Sequence, residues 1–197
     1  MILDPIKPET KIFLLNGPPS SGKDSLASYI ESINKTFSID KFAKPLKEAN
    51  KGMFSLTDEE FNLYDTDAKL KNTPQDRFYG KSWRQVNIDL SEDFIKGKYD
   101  IKFFGLELAK RIAVNDKKRI LVPDSGFLDE AVPIVEKFGK NNVFLLKLHR
   151  EGFTYKGDSR NYIDGEKLGV KTFNIVNDNL NKFLADASRI IYSLTYE

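Results

Sequence analysis

The stretch Gly17-Pro18-Pro19-Ser20-Ser21-Gly22-Lys23-Asp24-Ser25 restricts this chain more than any other. It follows the apolar run Ile12-Phe13-Leu14-Leu15 and leads into a helical pattern of Leu26, Ala27, Tyr29, Ile30 and Ile33. A buried strand, a glycine-rich turn and a helix start, in that order, are what a phosphate-binding loop requires. Gly17 and Gly22 allow backbone angles that a Cβ disfavours, so successive N–H groups can turn inward around an anion. The positive end of the following helix dipole adds to the attraction, and Lys23 can reach the β- and γ-phosphates. At average glycine and lysine usage this spacing arises by chance in roughly one chain in twenty of this length, and the flanking strand and helix make coincidence rarer. The expectation is a nucleoside-triphosphate site lined by Gly17, Ser20, Ser21, Gly22, Lys23, Asp24 and Ser25. Ser or Thr usually follows the lysine and coordinates Mg²⁺; here Asp24 stands in that place, with Ser25 next. Asp24 either binds the metal, directly or through water, or is an acidic residue favoured in a helix's first turn.

Composition bounds what surrounds this loop. The 197 residues allow one substantial core and leave little for two independent domains. With 31 basic and 29 acidic side chains the net charge is +2. That balance argues against a polynucleotide as main ligand, since such binders carry a basic stripe. The run Lys117-Lys118-Arg119 reads as a solvated turn before a strand. Cysteine is absent, which excludes disulfides and Cys-based metal sites. Residues 1–11 carry two prolines and no apolar core, so no secretory leader is expected. No apolar run approaches membrane-spanning length, and a cytoplasmic enzyme is the default.

After the first helix, Thr36 to Ile39 predicts a short strand ending at Asp40, and Phe42 to Glu48 enters another helix. The next buried strand is Arg119 to Asp124. About eighty residues therefore separate two core strands, where a plain βαβ crossover needs a dozen or more. Helical patterns at 58–64, 82–94 and 101–114, rich in aromatics, make the stretch an inserted helical subdomain rather than a linker. Phe127 to Phe138 reads as a helix that Pro133 should bend or shift. Val143 to Leu148 and Thr172 to Val176 predict further strands, separated by a polar, glycine-bearing loop. Leu180, Phe183, Leu184, Ala187, Ile190 and Ile191 form one face of a closing helix. Strands alternating with helices imply a mostly parallel sheet of about five strands, covered on both faces. Ligands in such sheets bind beyond the carboxyl ends of the strands, where Gly17, Asp40, Asp124, His149 and Asn177 fall.

Phosphoryl transfer needs positioning and charge neutralisation rather than covalent help from the protein. Asp124, ending an apolar strand, suits the metal's surroundings; it could equally cap the helix that begins near Phe127. Arg84 in the insertion and Arg150 and Arg160 in the polar loop are the candidate cations, because arginine makes bidentate charge-assisted bonds to phosphate. That loop could close as a lid and keep water from the reacting phosphate. His149, the sole histidine, is either a general base or a structural imidazole, and the second is favoured because a phosphate oxygen acceptor needs no strong base. Phe78, Tyr79 and Trp83 either stack on a nucleobase or fill a small core.

With these pieces in hand, the chain resembles the bacteriophage deoxynucleoside monophosphate kinases, within the nucleoside monophosphate kinase group of P-loop proteins. The resemblance rests on Gly17 to Ser25, including the Gly-Lys-Asp variant. It continues through Phe42 to Glu48, Gly80 to Gln85, Asp124-Ser125-Gly126-Phe127 with Glu130, His149 to Gly152, Gly157 to Arg160 and Asn174 to Asp178. It implies a three-layer P-loop kinase fold and the reaction of ATP with a deoxynucleoside monophosphate, with Mg²⁺. Arg84 would match the arginine on the acceptor's phosphate, with Lys44, Asp124, Phe127 and Glu130 beside the acceptor. Lys23, Arg150, Arg160 and Asp124 would carry catalysis, and Asp24 with Ser25 would face the metal. One departure follows Asp124: where many relatives place an arginine this chain has Gly126, so that role must pass to another cation.

The expected organisation is one P-loop kinase domain, with a core of about 11–50 and 116–197, an acceptor-binding insertion of about 51–115 and a lid of about 149–170. The expected partners are small nucleotides, with no nucleic acid and no membrane, in a monomer or a homodimer. If the gene is a phage's, the compartment is the host cytoplasm. A kinase for another small acceptor such as dephospho-coenzyme A, a GTPase-like regulator and a nucleic-acid-handling NTPase are the alternatives. The second lacks its guanine-reading Asn-Lys-x-Asp pattern, because neither Asn34-Lys35 nor Asn181-Lys182 is followed by Asp at the required place.

Overall fold

The computed structural model describes residues 10–195. The stretch judged for a secretory leader lies almost wholly outside them, in residues 1–9. The chain opens with β1 (Lys11–Asn16), α1 (Lys23–Ile33) and β2 (Phe37–Ile39). There follow α2 (Lys44–Met53), α3 (Asp58–Thr66), α4 (Ala68–Asn72) and α5 (Trp83–Ile88), which passes into a π-helical stretch at Asp89–Lys96. Then come α6 (Phe103–Val114), β3 (Arg119–Ser125), α7 (Leu128–Phe138), β4 (Val143–His149), α8 (Gly165–Leu168), β5 (Lys171–Val176) and α9 (Leu180–Thr195). The described residues fall into two compact units: 10–42 with 105–195, and 43–104.

In the first unit the five strands form one sheet in the order β2-β3-β1-β4-β5, with every neighbouring pair parallel. This is the α/β architecture that the strand and helix patterns predict. The apolar runs of β1, β3 and β4 do not alternate with polar residues because both faces of the sheet are covered. Phe13 and Leu15 project with Leu121, Phe144, Leu146 and Leu148 into a core closed by Leu26 and Ile30 of α1 and Phe183 and Ile191 of α9. Ile12, Leu14, Ile120, Val122 and Leu145, one residue out of phase, point to the opposite face. They are buried, and Leu108 and Ile112 of α6 and Ala131 and Ile134 of α7 are buried as well. A Cβ on Gly105 would collide with the Glu130 carbonyl, so glycine lets α6 lie close against α7. The α7 helix starts at Leu128 and runs through Pro133 to Phe138.

The sheet has one irregularity. Leu14 pairs with Val122 but Asn16 with Ser125, so β3 carries one residue more than β1 at Pro123-Asp124. Proline has no N–H to give the ladder, and a bulge is where a strand tolerates it. The bulge lies directly before the loop that the sequence marks as part of the site.

In the second unit, Phe78, Trp83, Leu56 and Val86 make a small core ringed by Phe54, Phe61 and Tyr64. Phe78 and Trp83 ring centroids lie 5.5 Å apart, and Phe61 meets Trp83 edge-on at 6.0 Å. The α3 helix begins with a reciprocal cap: Thr57 accepts from the Glu60 amide while Glu60 accepts from the Thr57 amide. Among the described residues, no helix is long and apolar enough to cross a membrane.

Candidate active site

The phosphate-binding loop leaves the carboxyl end of β1 at the sheet's centre. Ser20 and Gly22 take positive φ of 62° and 105°. Gly17 does not; its lack of a side chain matters for space, since a Cβ there would lie 2.6 Å from Ser21 Oγ and 2.7 Å from the Leu148 carbonyl. At Gly22 a Cβ would lie 2.7 Å from Asn177 Nδ2, which donates instead to the Ser21 carbonyl at 3.0 Å. Ser21 Oγ is buried within the loop and has no protein partner. Gly22 caps α1 without any side-chain hydrogen bond, so the first amides of this helix keep their donors for a ligand.

Lys23 is only 6% exposed, and its Nζ donates to the carbonyls of Gly17 at 2.6 Å and Pro18 at 2.7 Å. Burial, and then the nearby Arg160, push its pKa down to about 8, against the pull of Asp24, Asp158 and Asp124. An ammonium held at the loop with its charge partly disfavoured is poised for an anion that would restore it.

Two arginines of the segment after β4 converge on the same place. Arg150 donates from Nη1 to the Ser20 carbonyl at 2.8 Å and lies over the Phe153 ring. Arg160 grips Asp158 with both sides of its fork, at 2.8 and 2.6 Å, and that bond raises its pKa further. Its stem occupies the space over Gly126: a Cβ there would meet Arg160 Cβ, Cγ and Cδ at 2.6–2.7 Å. The space beside Gly126 is thus filled by the stem of Arg160. The N-cap position of α7 is Phe127, and Asp124 accepts from the Phe42 amide at 3.0 Å. Its charge acts on both Lys23 and Arg160.

Asn16, a polar residue ending an apolar strand, was not singled out from the sequence. Fully buried, its Nδ2 donates to the Ser125 carbonyl, the Tyr155 hydroxyl and the Asn161 carbonyl at 2.9–3.0 Å, and its Oδ1 accepts from the Ile163 amide at 2.8 Å. Burial pushes the Tyr155 hydroxyl's pKa upward, so it stays neutral. The Asn161 amide donates to the Gly126 carbonyl at 3.0 Å, so the loops after β3 and β4 are tied to each other and to β1.

Other residues fall elsewhere. Asp40 is 8% exposed and engaged by the Arg111 guanidinium, which fastens the end of β2 to α6. His149 shares a hydrogen bond of 2.9 Å with Asn174 and stacks on Tyr162, the structural role expected of it. Phe78 and Trp83 are core residues with no face for a base, while Tyr79 is almost wholly exposed; the stacking role is withdrawn for the first two. Aromatics do line a cavity of about 470 Å³ beside the loop, formed by His149, Arg150, Phe153, Tyr155, Tyr162 and Val176. A larger one, about 700 Å³, opens among Lys11, Lys117 and Arg119 at the opposite ends of the strands; parallel sheets bind ligands at the carboxyl ends, which favours the smaller one. Phe127 and the buried Glu130 sit at the start of α7. Lys44 and Arg84 belong to the helical unit, Lys44 exposed at the start of α2 and Arg84 half-buried on α5.

Asp24 and Ser25 are both exposed in the first turn of α1, with Asp24 paired to Lys41 at 2.7 Å. No group of three or more acidic or histidine side chains poised for a metal occurs among the described residues. A lone carboxylate and a hydroxyl still suit Mg²⁺, which usually takes one or two carboxylates together with substrate phosphates and water.

No protein-family model matches the chain. A solved thymidylate kinase from Candida albicans aligns with 96% of this chain and 94% of its own, at 12% identity and a TM-score of 0.36, too low to carry any argument. A protein of Acanthamoeba polyphaga mimivirus, named "Putative deoxynucleotide monophosphate kinase", is 32% identical over 174 residues, which is 82% of this chain and 84% of that one. Kinship at that level and over that length means that the chain belongs to the deoxynucleotide monophosphate kinase family.

Proposed function

We propose that this protein moves the γ-phosphate of ATP to a deoxynucleoside 5′-monophosphate, releasing ADP and the diphosphate. The observation that carries this reading is the convergence of Lys23 and Arg150 on the loop between β1 and α1, with the charge of Arg160 bearing on Lys23. Phosphoryl transfer asks for those parts: donors around the phosphates, cations where charge moves, and exclusion of water. Lys23 exchanges the Gly17 and Pro18 carbonyls for phosphate oxygens. Arg150 and Arg160 flank the transferred group. Asp124, fixed by the Phe42 amide, faces those cations. The aromatic cavity beside Arg150 suits the base of ATP, since flat rings and a guanidinium stack on any purine.

Mg²⁺, when bound with ATP, would neutralise phosphate charge and orient the chain of phosphates. Asp24 and Ser25, with Asp124 near Lys23, are the oxygen donors that would hold it. Free nucleotides as substrates suit a cytoplasmic setting.

The test is ADP release with ATP, Mg²⁺ and each of dAMP, dGMP, dCMP and dTMP. Turnover well above the ATP-only rate is expected with at least one of them. Lys23→Ala should lose at least a hundredfold in kcat while keeping the wild-type circular dichroism, since one preorganised charge-stabilising donor is worth that much. No stimulation by any of the four, or full activity in Lys23→Ala, would overturn the reading; stimulation by dephospho-coenzyme A alone would move it to another small acceptor.

A further inference from the structure

The run Lys117-Lys118-Arg119, expected as a solvated turn, leads into a row of cations at the amino ends of the strands. Lys11 opens β1 and Arg119 opens β3, and the parallel register pairs these two residues. On its other side Arg119 pairs with Phe37, the first residue of β2, so Lys35 and Thr36 arrive at the same edge. Three strands that begin level thus bring together basic residues far apart in the chain.

Lys11, Lys35, Lys117, Lys118 and Arg119 line one cavity of about 700 Å³, and Asp116 is the sole carboxylate among the described residues of its wall. Lys117 donates from Nζ to the Lys35 carbonyl, and Lys118 to the Asn115 carbonyl at 2.7 Å. Arg119 donates from Nη1 to Thr36 Oγ1 at 2.9 Å and lies over the Phe37 ring, as Lys11 lies over that of Phe144. Carbonyls, hydroxyls and ring faces orient a cation without cancelling its charge. Five cations against one carboxylate leave this wall an excess of four positive charges, more than the +2 of the whole chain. A concavity lined by one sign of charge focuses its field and concentrates counter-ions, and its volume is that of a small-ligand site.

We propose that this cavity binds a linear polyphosphate, matched in charge by a triphosphate chain, at a site separate from the phosphate-binding loop. A nucleotide's triphosphate carries about four negative charges near neutral pH, one from each inner phosphate and nearly two from the last. A chain of phosphates meets cations along a row of strand starts, where a single phosphate meets only some of them. The separation follows from the sheet: β1 runs six residues from Lys11 to Asn16, about 17 Å at about 3.3 Å per residue, before the loop begins. The rings beneath the cations, Phe37 and Phe144, are buried and offer a base no face to stack on. The seat therefore reads the phosphates, whether inorganic or the tail of a nucleotide. A polynucleotide would call for a stripe of charge rather than one concavity. None of this rests on the proposed phosphoryl transfer.

The test uses the full chain and reads each lysine separately. Lys35, Lys117 and Lys118 are acetylated with acetic anhydride under increasing inorganic tripolyphosphate, and the modification is quantified by mass spectrometry. The three should be protected together along one saturation curve, while sodium chloride of equal ionic strength protects none of them. ATP and GTP should protect at matching concentrations. Lys117→Gln should raise the tripolyphosphate concentration for half-protection of Lys35 by about tenfold or more, the worth of one bond to a charged group. Asp116→Asn should lower it, because the one opposing charge is gone. Both positions are exposed, so the fold should persist in each variant. Absence of protection by tripolyphosphate, or equal protection by sodium chloride, overturns the inference. An unchanged half-protection concentration in either variant overturns it as well. So does a strong preference between ATP and GTP, since the site would then read a base. Protection by oligodeoxythymidylate without protection by tripolyphosphate would overturn it in favour of a nucleic-acid face.

Discussion

At Gly126 the absence of a side chain has a visible cause, since the stem of Arg160 fills the place where a Cβ would be. From the sequence alone, glycine there leaves a cation unassigned; the structure lays against it the stem of an arginine from more than thirty residues further along, whose guanidinium is held by Asp158. Gly126→Ala should therefore act through Arg160. A methyl group forced against three carbons at 2.6–2.7 Å must move the arginine, because neither the loop tied by Asn161 nor the short Asp158 grip can yield cheaply. We expect kcat to fall by about ten- to a hundredfold, as loss of one charge-stabilising group would require, with a small change in the KM of ATP. Arg160→Ala should fall similarly, and the double variant hardly further, because neighbours that act as one unit are not additive. Additive losses in steady-state kinetics would separate the two residues.

Among the elements, those readable in the sequence are those whose burial leaves an unbroken apolar run. The strands of the sheet unit fall where the runs at 12–15, 119–122, 143–148 and 172–176 place them, and the loop motif fixes the start of α1. The π-helical turn at Asp89–Lys96 has no such signature, since local propensity does not distinguish it from the α5 helix it extends. The aromatics of the helical unit are ambiguous for a related reason: spacing puts Phe78 and Trp83 near each other but cannot say whether their faces meet a ligand or each other. Of the candidate site, Lys23 is legible from the loop motif, Asp124 from its place at a strand end, and Arg150 and Arg160 as arginines in the polar loop after β4. Asn16 was not, because its partners lie more than a hundred residues away. It fastens the whole segment after β4 to the central strand, so its loss should be felt as an element's loss. Asn16→Leu keeps the volume and removes four hydrogen bonds, two of them buried and two partly buried, leaving the Ile163 amide and the Ser125 and Asn161 carbonyls without this partner. We expect a destabilisation of about 2–4 kcal/mol in urea unfolding, each stranded buried group costing about 1–3 kcal/mol before relaxation. A loss below about 1 kcal/mol would mean that the segment holds itself.

Over the whole molecule the 31 basic and 29 acidic groups nearly balance, so pH-dependent stability near neutrality is governed by the few groups whose surroundings differ between folded and unfolded states. Lys23 is the clearest in the sheet unit. Its pKa is about 8 when folded, against 10.5 for the ordinary side chain. Between those values the unfolded chain binds the extra proton, so the Lys23 contribution to stability rises with pH, by at most about 1.4 kcal/mol per unit. Below about pH 8 the cost of burying the ammonium is constant and fully present. Lys71, also lowered, pushes in the same direction, and Lys51, raised by its bond to Asp58, pushes in the other, so the wild-type curve alone is not diagnostic. The difference between wild type and Lys23→Met is. That variant should be the more stable relative to wild type at pH 7–8, with the gap narrowing steadily toward pH 10 in urea unfolding. Ligand binding must mirror this. An anion that needs the ammonium should bind with a constant Kd below about pH 8 and lose up to tenfold per unit above it. Isothermal titration of ATP from pH 7 to 10 reads that slope directly. Lys23→Met should bind more weakly and show no break near pH 8. A gap independent of pH, together with an ATP affinity that ignores the break, would place the loop's electrostatics somewhere other than this ammonium.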